Sequence, residues 1–414
     1  MMRSVLSAAL LAVSTMAYAA DPQVEEMRAM MEAQQRQIEA LQQQLEATLA
    51  SMESLRQTVE ANSEASEAAN EKAEILAENL ESQPVVAESA NSLGGYGELH
   101  LNMLENQATG EETNMLDFHR FVLFYGHRFN DRLRFTSELE IEHAVSGGDE
   151  PGEVELEQAY IEYDWAAGHS LRAGIFLMPV GILNETHEPP TFYGVERNPV
   201  ESNIIPSTWW EGGLALNGRF ADALRYDFAV HSGLNTSAED RYAVRAGRQK
   251  VAKARFDAPA YTGRLRWLGV PGLELSASVQ YQDDVTQELD PLAGSAWLFS
   301  GHAAWQFGGF GLRALFARWS LDGPGPEAVG ADRQEGWYVE PSWRFNERWG
   351  VFARYSNWDN LAGSAADTEY TQVDVGVNYW LHPNVVFKFD YQDQDAAPGR
   401  KELDGWNLGV GYMF

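Results

Sequence analysis

Charged residues recur at every second position in several segments of this chain, where they alternate with apolar residues. Glu138 and Glu140 flank Leu139, and Glu162 follows Ile161. Successive side chains of a β-strand point to opposite faces, so this spacing would collect the charges on one face. Charges gathered on one face of a sheet can attract and steer ions or charged solutes.

The motifs of common enzymes and metal sites are missing from this sequence. There is no Cys, no Gly-x-Ser-x-Gly turn and no Walker loop, which argues against the corresponding chemistries. Residues 185–188 (Glu-Thr-His-Glu) do not form a His-Glu-x-x-His zinc motif, and the nine His residues show no ligand spacing. We therefore expect no catalytic residue, no metal site and no cofactor. Two alternatives to this expectation are a hydrolase that uses a Ser–His pair and weak Ca²⁺ binding by Asp390, Asp393 and Asp395.

Alternating segments continue from Tyr96 to the last residue, Phe414. We count sixteen of them, each about ten to thirteen residues long, which is the length that a tilted membrane strand needs. Short and long connections alternate, as periplasmic turns and extracellular loops do in outer-membrane barrels. Several segments carry no charge on their apolar face, which fits contact with lipid. The predicted fold class is all-β, a 16-stranded antiparallel transmembrane β-barrel over residues 96–414 whose polar face lines a water-filled lumen.

The first 95 residues are of three other kinds. Residues 1–20 combine Arg3 with an apolar stretch and small residues, which predicts a secretory signal peptide cleaved after Ala19 or Ala20. Residues 21–82 carry apolar residues at sustained heptad spacing, which predicts a periplasmic α-helical coiled coil that supports oligomerisation. A lone amphipathic helix packed on the barrel is the alternative. Residues 83–95 contain Pro84 and two adjacent Gly residues and are predicted to be a linker.

The overall charge excludes one class of partner. The chain has 61 acidic and 30 basic residues, a formal net charge of -31, which argues strongly against nucleic acid. The expected partners are instead the outer membrane with its lipopolysaccharide, which could share divalent cations with acidic loops, and the machinery that assembles outer-membrane proteins. The assembly signal is expected in the last strand, in Trp406, Tyr412 and Phe414.

The longest connection, residues 178–211, is rich in Pro, aromatic and charged residues. Loops longer than about fifteen residues are usually functional or disordered, and this density of rings favours an ordered loop. We expect it to fold into the lumen and narrow it, and an outward, surface-covering loop is the alternative. The candidate pore-lining and constriction residues are Arg120, Arg134, Glu138, Glu140, Glu162, Arg172, Glu185, His187, Glu188, Tyr193, Glu196, Arg197, Arg344 and Arg354.

Two short motifs carry a resemblance to a known family. Residues 171–181 read Leu-Arg-Ala-Gly-Ile-Phe-Leu-Met-Pro-Val-Gly, and residues 118–120 read Phe-His-Arg. They resemble the strand before the constriction loop and an early Phe-Arg-Arg strand of the phosphate-selective porin O/P family, with His119 in place of the first Arg. The resemblance implies a sixteen-stranded homotrimeric porin, and some relatives also carry an N-terminal periplasmic coiled coil.

One departure from that family concerns selectivity. An anion pore needs rings of Arg and Lys, whereas the candidate lumen positions of this chain mix Arg residues with a comparable number of carboxylates. Phosphate selectivity is therefore not inferred, and we expect at most a weak cation preference at the mouth with Arg residues across the constriction. The predicted function is passive diffusion of small hydrophilic or charged solutes. The alternative is a structural tether or adhesin anchored by the barrel.

Overall fold

The alternation of apolar and polar residues produces strands throughout the computed structural model, which describes residues 89–145 and 152–414. The predicted signal peptide and coiled coil lie outside the described residues. Within the described residues the strands are β1 (Asn91–Asn106), β2 (Glu111–Asn130), β3 (Leu133–Glu142), β4 (Val154–Ala166), β5 (His169–Leu177), β6 (Trp210–Ala221), β7 (Leu224–His231), β8 (Ala260–Val270), β9 (Leu273–Gln282), β10 (Ala296–Phe307), β11 (Phe310–Leu321), β12 (Arg333–Arg344), β13 (Trp349–Asp359), β14 (Tyr370–His382), β15 (Val385–Ala396) and β16 (Leu403–Met413).

These strands form one closed antiparallel barrel, in which each strand pairs with its sequence neighbours. The last strand closes the barrel against the first, with Tyr96 opposite Met413 and Asn106 opposite Leu403. Closure leaves no strand edge unpaired, which a membrane requires of a sheet. The predicted 16-stranded fold class is confirmed over the part of the chain that the structure describes.

The first two strands differ most from the expected lengths. β1 has 16 residues and begins at Asn91, and β2 has 20 residues. Together they extend into a connection that the sequence predicts to be long, and leave only the turn 107–110. The pairing of β1 and β2 shifts between Glu98 and His100, which marks a bulge. The sequence leaves open whether Arg120 or Phe121 faces the lumen, and the structure buries Arg120 there.

The outer face of the barrel is apolar and carries exposed aromatic rings near both ends. Such girdles lie at the two membrane interfaces of outer-membrane barrels. Near the short turns the exposed rings are Phe129, Trp165, Phe220, Trp267, Phe307, Trp343, Phe345, Trp349 and Phe414. Near the long connections they are Tyr261, Trp297, Phe299, Trp337, Tyr355, Tyr391 and Trp406.

The hydrophobic core of the described residues lies inside the barrel. Lumen-facing side chains of β10 to β12, such as Leu298 and Trp319, pack against Val180, Ile204 and Trp209 of the connection between β5 and β6. Alternation alone predicts a polar, water-filled interior. The apolar cluster inside the barrel differs from that prediction. It arises because the long connection brings apolar residues of its own into the lumen.

Short helices occur only in the connections of the described residues. They are α1 (Val200–Asn203), α2 (Pro324–Val329) and a 3-10 turn (Pro189–Thr191). None of the helices described has the length and apolar content needed to cross a membrane.

Candidate functional site

The connection between β5 and β6, residues 178–209, folds into the barrel and is here called the inner loop. Its two ends are joined by a hydrogen bond from the Met178 N–H to the Trp209 carbonyl, 2.9 Å long. The buried amide of Asn184 completes this junction, since it donates to the carbonyls of Met178 and Trp209 and accepts from the Trp209 N–H at 2.7 Å. The two ends of the inner loop are therefore held together where it leaves β5 and enters β6.

Hydrogen bonds attach the inner loop to opposite parts of the barrel wall. Trp319 of β11 donates to the Ile204 carbonyl at 2.9 Å, and Ser278 of β9 donates to the Pro179 carbonyl at 3.0 Å. Lys388 of β15 donates to the Gly194 carbonyl at 2.7 Å. The loop thus spans the lumen instead of lying along one strand.

Glu201 connects two turns of the inner loop to the wall. Its carboxylate accepts the N–H groups of Ile182 at 2.5 Å and Leu183 at 2.7 Å, and the hydroxyl of Tyr338 in β12 at 2.8 Å. The Glu201 side chain is fully buried. A buried carboxylate needs such donors to offset its lost hydration.

Glu185 and Glu196, two predicted site residues of the inner loop, pair with basic groups of the wall. Glu185 binds Arg264 of β8. Glu196 accepts from His100 at 3.0 Å and from Asn102 at 2.9 Å, both on β1. Burial works against ionisation of Glu196, but the His100 ring outweighs it and lowers the pKa of Glu196 to about 2.

His187, also predicted, lies between the inner loop and two carboxylates of the wall. Its Nε2 atom is 3.5 Å from Glu138 on β3 and 3.5 Å from Glu157 on β4. Burial opposes a charge on the ring, but the two carboxylates prevail and raise the pKa of His187 to about 10. The ring of Tyr96 packs edge-on against it, with centroids 5.9 Å apart.

Two further predicted arginines are buried in the wall beside the inner loop. Arg354 lies between Asp374 at 2.9 Å and Glu340 at 3.2 Å. Arg120 is 2.7 Å from Glu98 and 3.9 Å from the predicted site residue Glu140. Each of these arginines is paired with carboxylates inside the wall, so neither acts as a free charge.

Several predicted residues lie apart from this junction. Arg134, Glu162 and Arg172 form an ion-pair network along β3 to β5. Arg344 stacks on Trp380 with 4.2 Å between its guanidinium carbon and the ring centroid. Tyr193 also contacts Trp380, edge-on, with the two ring centroids 5.6 Å apart.

Glu188 is half-buried in the inner loop, where its backbone carbonyl accepts the hydroxyl of Thr191 at 2.7 Å. The last strand contains the predicted assembly-signal residues Trp406, Tyr412 and Phe414. Phe414 bonds through its backbone to Gly95, at 2.9 and 3.0 Å. The pore-lining role of Glu188 and the assembly role of the last strand stay predictions.

Two cavities lie on different sides of the inner loop. The short-turn cavity, about 680 Å³, is lined by residues that include Thr191, Tyr193, Arg313 and Arg344. The long-loop cavity, about 380 Å³, lies near the long connections, and its charged lining residues include Arg120, Glu142, Glu155, Glu196, Arg197, Arg245, Arg248 and Lys250.

The long-loop cavity is lined by both basic and acidic residues. Arg245 donates to the carbonyls of Ser202 and Ser207, and Arg248 donates to that of Thr208 at 2.5 Å. Burial, with Arg248 nearby, lowers the pKa of Arg245 to about 10. Burial likewise lowers the pKa of Arg197, and the neighbouring Arg120 adds to this effect. The lowered values reflect cations held close together with little water.

Some functional candidates are not apparent from the sequence. Glu157 shares its inward orientation with the adjacent Gln158, because the pairing of β3 and β4 shifts at this point. Such a bulge breaks the simple period of two. Arg245, Arg248 and Lys250 lie in a connection without periodicity, where the run of basic residues was the available signal.

Comparison with known proteins agrees with this architecture. The family model described as Gram-negative porin matches residues 76–412, which is most of the chain. The chain belongs to the Gram-negative porin family. Membership and fold together place this porin in the outer membrane.

One relative by sequence and two solved structures are similar to this chain. An uncharacterized protein of Aquifex aeolicus is 32% identical over 353 residues, covering 78% of this chain and 80% of that protein. The outer-membrane channel DcaP of Acinetobacter baumannii is similar in fold, with 14% identity, a TM-score of 0.56, and 78% of this chain and 97% of that chain covered. OmpT of Vibrio cholerae, solved in a trimer form, has 11% identity and a TM-score of 0.52, with 79% and 100% covered.

Proposed function

We propose that this porin allows passive diffusion of small hydrophilic or charged solutes through a barrel that the inner loop narrows. The observation that carries the proposal is the placement of the loop across the lumen, with charged cavities on different sides of it. Solutes would pass between these cavities along the charged wall, without any chemical step. On this proposal the protein is a channel and not an enzyme.

The test is conductance of the purified full-length protein in planar lipid bilayers. We expect discrete current steps, and swelling of liposomes in small sugars and amino acids. Correctly folded protein that gives neither current nor swelling would contradict the porin proposal and favour the tether or adhesin.

The charges of the long-loop cavity support a transverse field across the path. Arg245 and Arg248 line this cavity together with Glu142 and Glu155. Opposed charges orient a polar solute and steer ions of both signs. Replacement of both arginines by Gln should shift the reversal potential in a salt gradient toward cations. Lys253→Gln, an exposed change in the same connection, is the control and should leave the potential unchanged.

The assembly is also part of the proposal. We propose a homotrimer formed through the barrel and the predicted coiled coil of residues 21–82, with that coiled coil in the periplasm. The trimer form of the similar OmpT barrel supports this state. Contacts with lipopolysaccharide and with the assembly machinery, and membership of the phosphate-selective O/P group, belong to the same set of proposals. Crosslinking of the purified protein tests the trimer, since a monomer at all concentrations would contradict it.

A further inference from the structure

Three polar atoms meet where the inner loop contacts β3 and β4. They are Nε2 of His187, Oε1 of Glu138 and Oε2 of Glu157, and both carboxylate oxygens are 3.5 Å from the nitrogen. The three residues are only 1–2% exposed. Among the described residues, none of these atoms has a hydrogen-bond partner. Buried polar atoms are seldom left unpartnered, so a cluster of three needs an explanation.

The His187 ring is oriented by its other nitrogen. Nδ1 lies 3.2 Å from the carbonyl oxygen of Asn184, which can only accept, so Nδ1 carries the hydrogen. In the neutral ring Nε2 then directs its lone pair at two carboxylates. Three electron-rich atoms that face one another call for a positive charge between them, supplied either by a second proton on the His187 ring or by a bound cation. A proton on Nε2 would serve two carboxylates poorly, since neither lies in hydrogen-bonding geometry.

We propose that Glu138, Glu157 and His187 bind a divalent transition-metal ion, of which Zn²⁺ fits best. One imidazole nitrogen and two carboxylate oxygens are ligands that Zn²⁺ accepts, with a fourth position left for water. Zinc–ligand distances of about 2.0–2.1 Å place tetrahedral ligand atoms about 3.3 Å apart. The observed separations of 3.5 Å are close to this value. The ion would also neutralise the two carboxylates.

The surroundings resemble those of an oriented ligand set. Gln158 donates to the second oxygen of Glu138 at 2.6 Å and fixes that carboxylate. The Asn184 carbonyl fixes His187 in the same way, as partners of metal-bound histidines do. The ligands come from β3, β4 and the inner loop, so the ion would tie the loop to the wall.

A second cluster, Asp117, His119 and His143, also has ligand atoms within 4.8 Å of one another. Its atoms already bond to each other, with Asp117 at 2.8 Å from His143 and 3.3 Å from His119. It therefore lacks the unpartnered atoms of the first cluster and provides a control.

The test is the metal content of the full-length chain after refolding with Zn²⁺ or with a chelator, followed by removal of free metal. Because the site is buried, loading should occur as the loop folds in. Wild type should retain about one equivalent of Zn²⁺ at this site. The double variant Glu138→Gln/Glu157→Gln should lose this equivalent, and His119→Gln/His143→Gln should keep it. Zinc-free wild type, or a double variant that keeps all its zinc, would overturn the proposal.

Two further measurements keep the test decisive. If the double variant does not fold, Co²⁺-refolded wild type decides, because tetrahedral Co²⁺ gives visible absorption bands, and their absence overturns the site. Gln158→Ala should weaken Zn²⁺ binding about 10–100-fold, since it removes a partner of a ligand. Unchanged affinity in Gln158→Ala would contradict the proposed ligand geometry.

The effect on the channel rests on the proposed function. Zn²⁺-loaded protein should show steadier current in bilayers than protein refolded in chelator, because the ion holds the loop to the wall. Equal current noise in the two forms would contradict this effect. A protein that retains Zn²⁺ but never conducts would keep the metal site and overturn the porin proposal, so the two failures can be told apart.

Discussion

Ion pairs in the barrel wall differ in how deeply they are buried, and burial decides how much each pair contributes to stability. Arg354 is 2% exposed and lies between two carboxylates, whereas Arg318 is 45% exposed and pairs with Glu335. Removing one partner from a buried group leaves the others uncompensated, which costs far more than loss of an exposed pair.

Arg354→Gln should therefore lower the free energy of unfolding by about 3–5 kcal/mol, because Glu340 and Asp374 lose their counter-ion. The matched exposed change, Arg318→Gln, should cost about 0–1 kcal/mol. Urea unfolding of refolded protein in detergent or lipid, followed by tryptophan fluorescence, measures both. Similar small losses in the two variants would mean that water or a rearranged carboxylate compensates the buried site.

Glu201 offers a second comparison within the inner loop. Glu201→Ala removes the acceptor of two backbone N–H groups and of the Tyr338 hydroxyl. Each buried donor left unsatisfied costs about 1–3 kcal/mol, so the loop should detach and become open to proteases. Limited proteolysis of the folded barrel measures this, with Glu188→Ala as the control in the same loop. Equal cleavage of both variants would contradict the role given to Glu201.

For single residues, the sequence predicted which face of a strand a side chain lies on but not which group it contacts. Alternation places Glu138, Glu140 and Arg354 on the inner face, and the structure buries all three side chains. Glu157 was missed because a bulge lies beside it, and the pairing of His187 with it depends on where a loop settles in space. Such contacts between distant segments leave no local signal in one sequence.

The inner loop fits against the last strand, β16, because two lumen-facing positions of this strand are Gly and carry no side chain. A Cβ added at Gly411 of β16 would lie 2.2 Å from the Cβ of Pro189 in the loop. At Gly409, the neighbouring lumen-facing position, it would lie 3.1 Å from Val195. The missing side chains thus create the space that the loop occupies.

Gly411→Ala should force the loop away from β16 and lower the free energy of unfolding by about 1–3 kcal/mol. Gly263→Ala is the matched control in β8, because the nearest atom to its new Cβ would be 3.9 Å away. Within a strand that change should be neutral or stabilising by about 0.5–1 kcal/mol. Parallel urea unfolding curves test both, and a harmless Gly411→Ala would show that the loop adjusts easily.

Strands were easier to predict than their limits. The number of strands over the described residues and the closure of β16 on β1 follow from periodicity and connection lengths. The early start of β1 at Asn91 and the length of β2 do not, because pairing beyond the membrane needs no apolar alternation. The density of rings predicted the direction of the inner loop, but its docking contacts were not predictable.

At the scale of the whole molecule, the N-terminal segment and the barrel are predicted to be separable. Deletion of residues 21–83 should weaken the trimer but leave barrels that conduct, because the barrel closes through strands that begin at Asn91. Crosslinking and bilayer conductance measure the two effects. A truncated chain that cannot fold would contradict the division into modules.

Phe414 acts at the junction of the two ends of the barrel. Its backbone pairs with Gly95, and its ring lies 6.1 Å from that of Phe121. Deletion of Phe414 should reduce insertion into the outer membrane far more than the conductance of inserted molecules. Quantification of folded protein in outer-membrane fractions tests this, and normal insertion would rule out the proposed assembly signal.

The contacts of the inner loop with the ends of the barrel bear on the order of assembly. The loop touches β1 through His100, β15 through Lys388 and β16 at Gly411. β1 and β16 form the seam that joins the two ends of the barrel, and β15 lies beside it. Pairing of chain segments far apart in sequence is a slow kind of contact to form. A loop that contacts both strands of the seam can hold them in place while the seam closes. The loop would then serve as an internal template for the seam, so that a defect in its docking would first be seen as delayed biogenesis.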